Sequence, residues 1–266
     1  MNSSRPFIIA ANWKMHKSPR EAVDFFEEFV PLVNSENLRR NISGQHAREI
    51  IFFIPAIGLY ASAPLLRGTG IGWGAQNIFY EAKGAFTGEN SPEVVKEIGA
   101  THTLVGHSER RSIFHESDSD TAKKVRSLQA VGLTPILCVG ESLSERESGR
   151  VSEVIVRQLR AGLSLANLKA SIVIAYEPIW AIGSGQVPSL EQINEAHGLL
   201  RAALKSIGDQ AFAERTAILY GGSVKPVNSV DIGSQSEVDG FLVGGASLEV
   251  APFLSLCQST KVKVFV

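Results

Sequence analysis

Eight short apolar runs, separated by helical patterns, limit what this chain can fold into more than any other feature. They lie at residues 7–11, 50–54, 70–75, 103–105, 135–139, 172–176, 217–219 and 240–243. Most are apolar throughout instead of alternating, the pattern of strands covered on both faces in a parallel sheet packed under helices. The stretches between them carry helix signals. Ser18-Pro19-Arg20-Glu21 joins a capping box to a proline at the first helical position, and Ala22, Phe25, Phe26 and Phe29 follow at helical spacing. Ser91-Pro92-Glu93 and Ser189-Leu190-Glu191-Gln192 open further helices, while 120–130 and 151–163 read as amphipathic.

Eight strand–helix units in 266 residues predict an α/β fold, a single-domain (β/α)8 barrel over residues 1–266. The runner-up is an open doubly wound sheet. That fold favours a glycine-rich turn after the first strand, where this chain has Asn12-Trp13-Lys14. The polar segment 34–48 reads as a long surface connection, and no inter-domain linker is evident.

A net charge of −1 gives no basis for a nucleic-acid or membrane-surface partner, so a bound anion must be caught by local geometry. No run approaches the ~18 apolar residues of a membrane helix. Residues 1–6 are polar, and with no apolar leader before the first strand the expectation is a cytoplasmic protein. Cys138 and Cys257 sit in apolar segments and suggest no disulfide framework. The six histidines lack HxH or HExxH spacing, so neither metal nor organic cofactor is expected.

In a parallel barrel, polar residues just past the strands gather on one face. Here they are Asn12 and Lys14, then Gln76 and Asn77, then His107, Ser108 and Glu109, followed by Glu141 and Glu177. Gly221-Gly222-Ser223 and Gly244-Gly245 complete the ring. One such lysine alone is usually a solvated charge; residues of this kind at seven strand ends suggest a site. The two glycine pairs are either tight turns needing positive φ or backbone cradles for a phosphate. Their adjacency in the seventh and eighth units favours the cradle. His107 falls where a strand meets a helix, and the positive end of the helix dipole disfavours an imidazolium there. Glu177, if desolvated, becomes a usable general base.

The segments "ANWKMH", "GAQN", "GAFTGE", "VGHSERR", "CVGE", "AYEPIWAIGSG", "YGGSV" and "GFLVGGASL" resemble the triosephosphate isomerase family, in family order, over nearly the whole chain. That family is itself a standard illustration of a carboxylate base beside a neutral imidazole under a closing loop, so these roles are carried over by likeness. The resemblance implies interconversion of dihydroxyacetone phosphate and glyceraldehyde 3-phosphate through an enediolate, in glycolysis and gluconeogenesis, without a cofactor. Glu177 matches the base, His107 the electrophile and Lys14 the cation, with Asn12 its neighbour and Glu109 the carboxylate close to it. Gly183, Ser223, Gly244 and Gly245 match the phosphate cradle. Residues 178–187 match a lid that shields the enediolate from water. Pro178 and Trp180 lie at its hinge, Glu141 is the expected partner of Trp180, and Gly185 is a contact of Ser223. Thr87 matches a loop inserted into a neighbouring subunit, implying a homodimer.

Two departures stand out. A family tyrosine matching Tyr220 bonds a lid backbone N–H, but ungapped alignment from Glu177 puts Pro188 there, and proline has no N–H. An aspartate before the last strand aligns with Glu237, which Arg201 can still reach. The tail after Ser255, ending "KVKVFV", is longer and more apolar than the resemblance implies. Two alternatives remain: an isomerase of a four-carbon ketose phosphate with the same chemistry, and a barrel phosphate-binding protein or lyase without isomerase activity.

Overall fold

A computed structural model describes residues 5–35 and 48–259. Most of the expected surface connection and the end of the apolar tail lie outside those residues. Eight parallel strands close into a barrel in chain order: β1 (Phe7–Asn12), β2 (Arg48–Ile54), β3 (Gly72–Ala75), β4 (His102–Val105), β5 (Thr134–Val139), β6 (Val173–Tyr176), β7 (Ile218–Tyr220) and β8 (Gly240–Val243). Closure is made by β8 on β1, with Ile8 opposite Gly240 and Ala11 opposite Val243. The expected (β/α)8 barrel is therefore what forms, and the open doubly wound sheet is not.

Why the strands read as unbroken apolar runs is visible in their two faces. Ile8, Ala10, Ile51, Phe53, Leu104, Ile136, Cys138, Ala175, Leu219 and Leu242 form one buried cluster, the barrel interior. The alternate residues, Phe7, Ile9, Ala11, Ile50, Phe52 and Ile54 among them, belong to a second, larger cluster shared with the helices. Both sides of the period-2 pleat are thus dry. Trp13, Phe25, Phe26, Phe29, Phe52 and Phe253 interlock with ring centroids 5.0–5.6 Å apart, joining the end of β1 to the helices Pro19–Ser35 and Val250–Ser259. Phe253, Leu256 and Cys257 are buried, so the described part of the last helix packs on the barrel.

Helix starts follow the sequence signals closely. Ser18 and Glu21 exchange backbone and side-chain hydrogen bonds, and Ser189 forms a full capping box with Gln192. The helix expected at 120–130 begins earlier, at Asp118. Ser117 is its cap, and Asp120 is the third-position partner of that box, not the first residue. Ser91 does not cap its helix through its side chain; its hydroxyl donates to the Ala82 carbonyl. Among the described residues no helix is long and apolar enough to cross a membrane.

Arg201 does pair with Glu237, Nε to Oε2 at 2.8 Å, and reaches Asp239 at 2.6 Å and the Thr216 carbonyl. These groups sit before β7 and β8, so the departure at Glu237 belongs to the barrel's N-terminal face, away from the strand ends that carry the ring of polar residues.

Candidate active site

The C-terminal strand ends converge on a cavity of about 630 Å³ lined by Asn12, Lys14, His107, Glu177, Gly183, Ser223, Gly244 and Gly245. Glu109 lines an adjoining cavity of about 320 Å³, which shares Asn12, Lys14 and His107. These residues, from five of the eight units, thus meet at one end of the barrel.

Lys14 sits in the left-handed region at φ 50°, a conformation non-glycine residues seldom adopt. It is held there from two sides. Its N–H donates to Asn12 Oδ1 at 3.0 Å, and its carbonyl accepts from Gln76 Nε2 at 2.8 Å. The outcome is a directed ammonium: Nζ lies 2.6 Å from Glu109 Oε1.

His107 is the N-cap of the helix Ser108–Ile113, and its Nδ1 accepts the Glu109 N–H at 3.2 Å. With Nδ1 used as an acceptor, the proton of the neutral ring sits on Nε2. The peptide before it is clamped. Gly106 (φ 68°) donates its N–H to Glu116 Oε1 at 3.0 Å, and its carbonyl accepts from Arg111 Nε at 2.8 Å.

Glu177 follows β6 directly and is buried. Its Oε2 accepts the Ser108 N–H at 2.8 Å, and Oε1 lies 3.0 Å from His107 Nε2. The neighbouring backbone leaves it no latitude: a Cβ at Gly140 would fall 1.8 Å from the Glu177 carbonyl oxygen, and one at Gly221 would fall 2.9 Å from its Cγ. Strand packing therefore aims this carboxylate.

Opposite it, the N–H groups of Gly183, Ser223, Gly244 and Gly245 have no acceptor among the described residues. Such unspent backbone donors bordering a cavity are what an anion needs. Among the described residues no cluster of metal-ligating side chains occurs, and both cysteines are buried and unpaired.

After Glu177 the chain turns through Pro178 into a short 3-10 turn, Ile179–Ala181. Trp180 Nε1 donates to Glu141 Oε1 at 3.0 Å, the pairing anticipated above. That oxygen also accepts from Tyr176 Oη at 3.0 Å and Arg146 Nε at 2.8 Å; Glu141 and Tyr176 are fully buried, Arg146 and Trp180 partly so. Residues 183–187 are exposed, with Ser184 folding the tip on itself by accepting from the Gln186 N–H and donating to the Trp180 carbonyl. Gly183 (φ 69°) and Gly185 (φ 80°) supply the left-handed turns of that tip. Thr87 is exposed in a loop on the same side as the smaller cavity, which Gly88, Glu89 and Asn90 help to line.

A family model described as triosephosphate isomerase matches residues 7–260. The triosephosphate isomerase of Bdellovibrio bacteriovorus is 48% identical over 251 residues, covering 94% of this chain and 98% of that one. Those of Dictyoglomus thermophilum and Rubrobacter xylanophilus are each 43% identical, over 254 and 264 residues, covering 95% and 98% of this chain and 98% and 100% of theirs. The chain belongs to the triosephosphate isomerase family.

For a member of the triosephosphate isomerase family, the region around Tyr220 is of interest. Its ring is fully buried and its Oη has no hydrogen-bond partner among the described residues. Pro188, also buried, offers it no donor. Ser223 and Gly185 make no bond to each other, and residues 183–187 are exposed.

Sequence reasoning missed several supporting parts of this triosephosphate isomerase family site. Ser108 was placed in the ring of strand-end residues, but its contact with Glu177 is made by the backbone N–H, which no side-chain pattern reveals. Arg146 could have been suspected from its place five residues beyond Glu141, in the short helix Leu143–Glu147. Lys225 and His16 line the larger cavity although neither stood out in the ring of strand-end residues.

Proposed function

We infer that this site isomerises dihydroxyacetone phosphate and D-glyceraldehyde 3-phosphate by moving a proton between C1 and C2 through an enediolate. The observation that carries this reading is the convergence of one carboxylate, one imidazole N–H and one ammonium on a cavity walled by unspent backbone donors. Glu177 takes the proton from the carbon beside the carbonyl. His107 donates its Nε2 proton to the carbonyl oxygen as charge develops there, and the two oxygens exchange protons through the same ring. Lys14, steered by Asn12 and paired with Glu109, stabilises the developing negative charge. Gly183, Ser223, Gly244 and Gly245 hold the phosphate dianion.

In the arrangement described above, both oxygens of Glu177 face donors, which suits a resting state. The substrate takes over His107 Nε2, and closure of 178–187, hinged at Pro178 and Trp180 with Gly185 meeting Ser223, releases the carboxylate toward carbon and excludes water. The chain acts as a cytoplasmic homodimer. Met15 is 97% exposed and Phe114 63% exposed, both bordering the smaller cavity, which suits the Thr87 loop of a second copy. Neither the four-carbon substrate nor the non-isomerase reading gains an observation here.

The test is a coupled assay with glyceraldehyde 3-phosphate, with a tetrulose phosphate as comparison. Glu177→Gln should lower kcat by about 10³-fold, the mid-range for removal of a general base. Equal rates for wild type and variant would overturn the mechanism.

A further inference from the structure

The formal charges around the larger cavity do not suit an incoming dianion. Lys14 is the inner cation, but Glu109 lies 2.6 Å from it and Glu177 adds a second carboxylate at the cavity floor. One cation against two carboxylates leaves the inner site at net −1. The adjoining cavity does not correct this, because its Lys14 and Arg110 are balanced by Glu89 and Glu109. Backbone donors attract a phosphate strongly only at contact, since a dipole's field falls faster with distance than a charge's. The chain as a whole, at −1, supplies no background attraction either.

One further formal charge lines the larger cavity. Lys225 follows the Gly221-Gly222-Ser223 turn and is exposed. Its own N–H is tied to Asn228 Oδ1 at 2.8 Å, which fixes its backbone at the start of the helix Pro226–Gly233. It forms no ion pair among the described residues, in contrast to Lys14. An uncompensated ammonium on the rim, two residues from Ser223, is placed to act at long range while the cradle acts at short range.

We propose that Lys225 is the residue that draws the phosphorylated substrate to the mouth of this site. It offsets the repulsion of Glu177 and Glu109 during approach and makes no contact with the reacting carbons. The proposal rests on the isomerase reading above and adds a specificity-determining charge to it.

The predicted size follows from Coulomb's law. A dianion about 10 Å from a unit charge in water gains roughly threefold in local concentration at ~10 mM ionic strength. At ~0.3 M, where the screening length is shorter than that separation, the gain shrinks to less than about 1.5-fold.

The experiment measures kcat/KM for glyceraldehyde 3-phosphate from ~10 mM to ~0.3 M ionic strength in wild type, Lys225→Met, Lys225→Glu and Lys225→Arg. Lys225→Met should lose roughly threefold and Lys225→Glu roughly eightfold at low salt, through KM, with both converging on wild type at high salt. Lys225→Arg should keep both the rate and the salt slope. A Lys225→Met enzyme equal to wild type at low salt would overturn the proposal. So would a loss that persists undiminished at high salt, which marks a contact or folding role. Absence of isomerase activity in the wild type would overturn the isomerase reading, and this proposal with it; activity without a Lys225-dependent slope overturns the proposal alone.

Discussion

His107 Nε2 stands 3.0 Å from Glu177 Oε1, so the imidazole and the carboxylate lie within hydrogen-bond distance of each other. The carboxylate's reach is set by its own backbone, packed against Gly140 and Gly221. Glu177→Asp keeps the charge but withdraws it by one methylene. A displacement of about 1 Å or more costs on the order of 10²-fold in a positioned reaction, so kcat should fall by that amount with KM little changed. Steady-state kinetics in both directions provide the check.

Gly140 has no room for a methyl group, because the Glu177 carbonyl oxygen would lie 1.8 Å from it. Gly140→Ala must push apart the end of β5 and the backbone at Glu177. We expect a loss of at least ~3 kcal/mol, read as a fall in Tm of roughly 6–12 °C. Activity should fall further than the folded fraction does, because Glu177 is the group displaced. Calorimetry beside an assay of the folded protein separates the two effects.

Tyr220 Oη is buried with no hydrogen-bond partner among the described residues, and Pro188 has no N–H to supply one. Removing an unsatisfied buried hydroxyl is near neutral or stabilising. Tyr220→Phe should therefore keep kcat/KM within about threefold and leave Tm equal or higher. In a Pro188→Ala background, which restores a backbone donor, the same substitution should cost more. A large loss of kcat/KM in the single variant, with fold and oligomeric state unchanged, would show that the hydroxyl supports activity by another route.

His102 reports on the barrel's other end. Burial holds its ring neutral, lowering its pKa to about 4, with Nδ1 2.8 Å from Thr101 Oγ1 and Nε2 3.4 Å from Glu49 Oε1. The unfolded chain takes up this proton near pH 6.5, whereas the folded chain resists it until about pH 4. Between those values the unfolded state binds more protons, so this residue's contribution to stability falls as pH falls. Glu49, whose carboxyl burial pushes upward, contributes with the opposite sign, so the comparison must be with a variant. Relative to His102→Gln, wild type should lose up to roughly 3 kcal/mol between pH 7 and pH 4. Urea unfolding midpoints across that range test the slope.

Much of the barrel was legible because its signals are local. An apolar run covered on both faces looks the same wherever its partners lie, and Ser18 with Glu21 or Ser189 with Gln192 announce a helix start within four residues. The ring of site residues was legible for a related reason: each sits just past a strand, and closure brings strand ends together. Arg146 was not, since it reaches the site only through Glu141, and the contact Ser108 makes was not, since it uses a backbone N–H. Lys225 went unremarked because an exposed lysine after a strand resembles any solvated charge until the charges around it are counted.

The order of strands and helices, the residue types at the strand ends and the missing N–H at Pro188 were thus determined by the sequence alone, through pattern and covalent chemistry. Only the tertiary structure decided that Lys14 would be turned onto Glu109, that Nδ1 of His107 would accept and Nε2 donate, and that the Tyr220 hydroxyl would find no partner among the described residues. These are relations between groups far apart in the chain. Their angstrom-scale distances are set by how a closed barrel packs, and no local stretch of sequence encodes that.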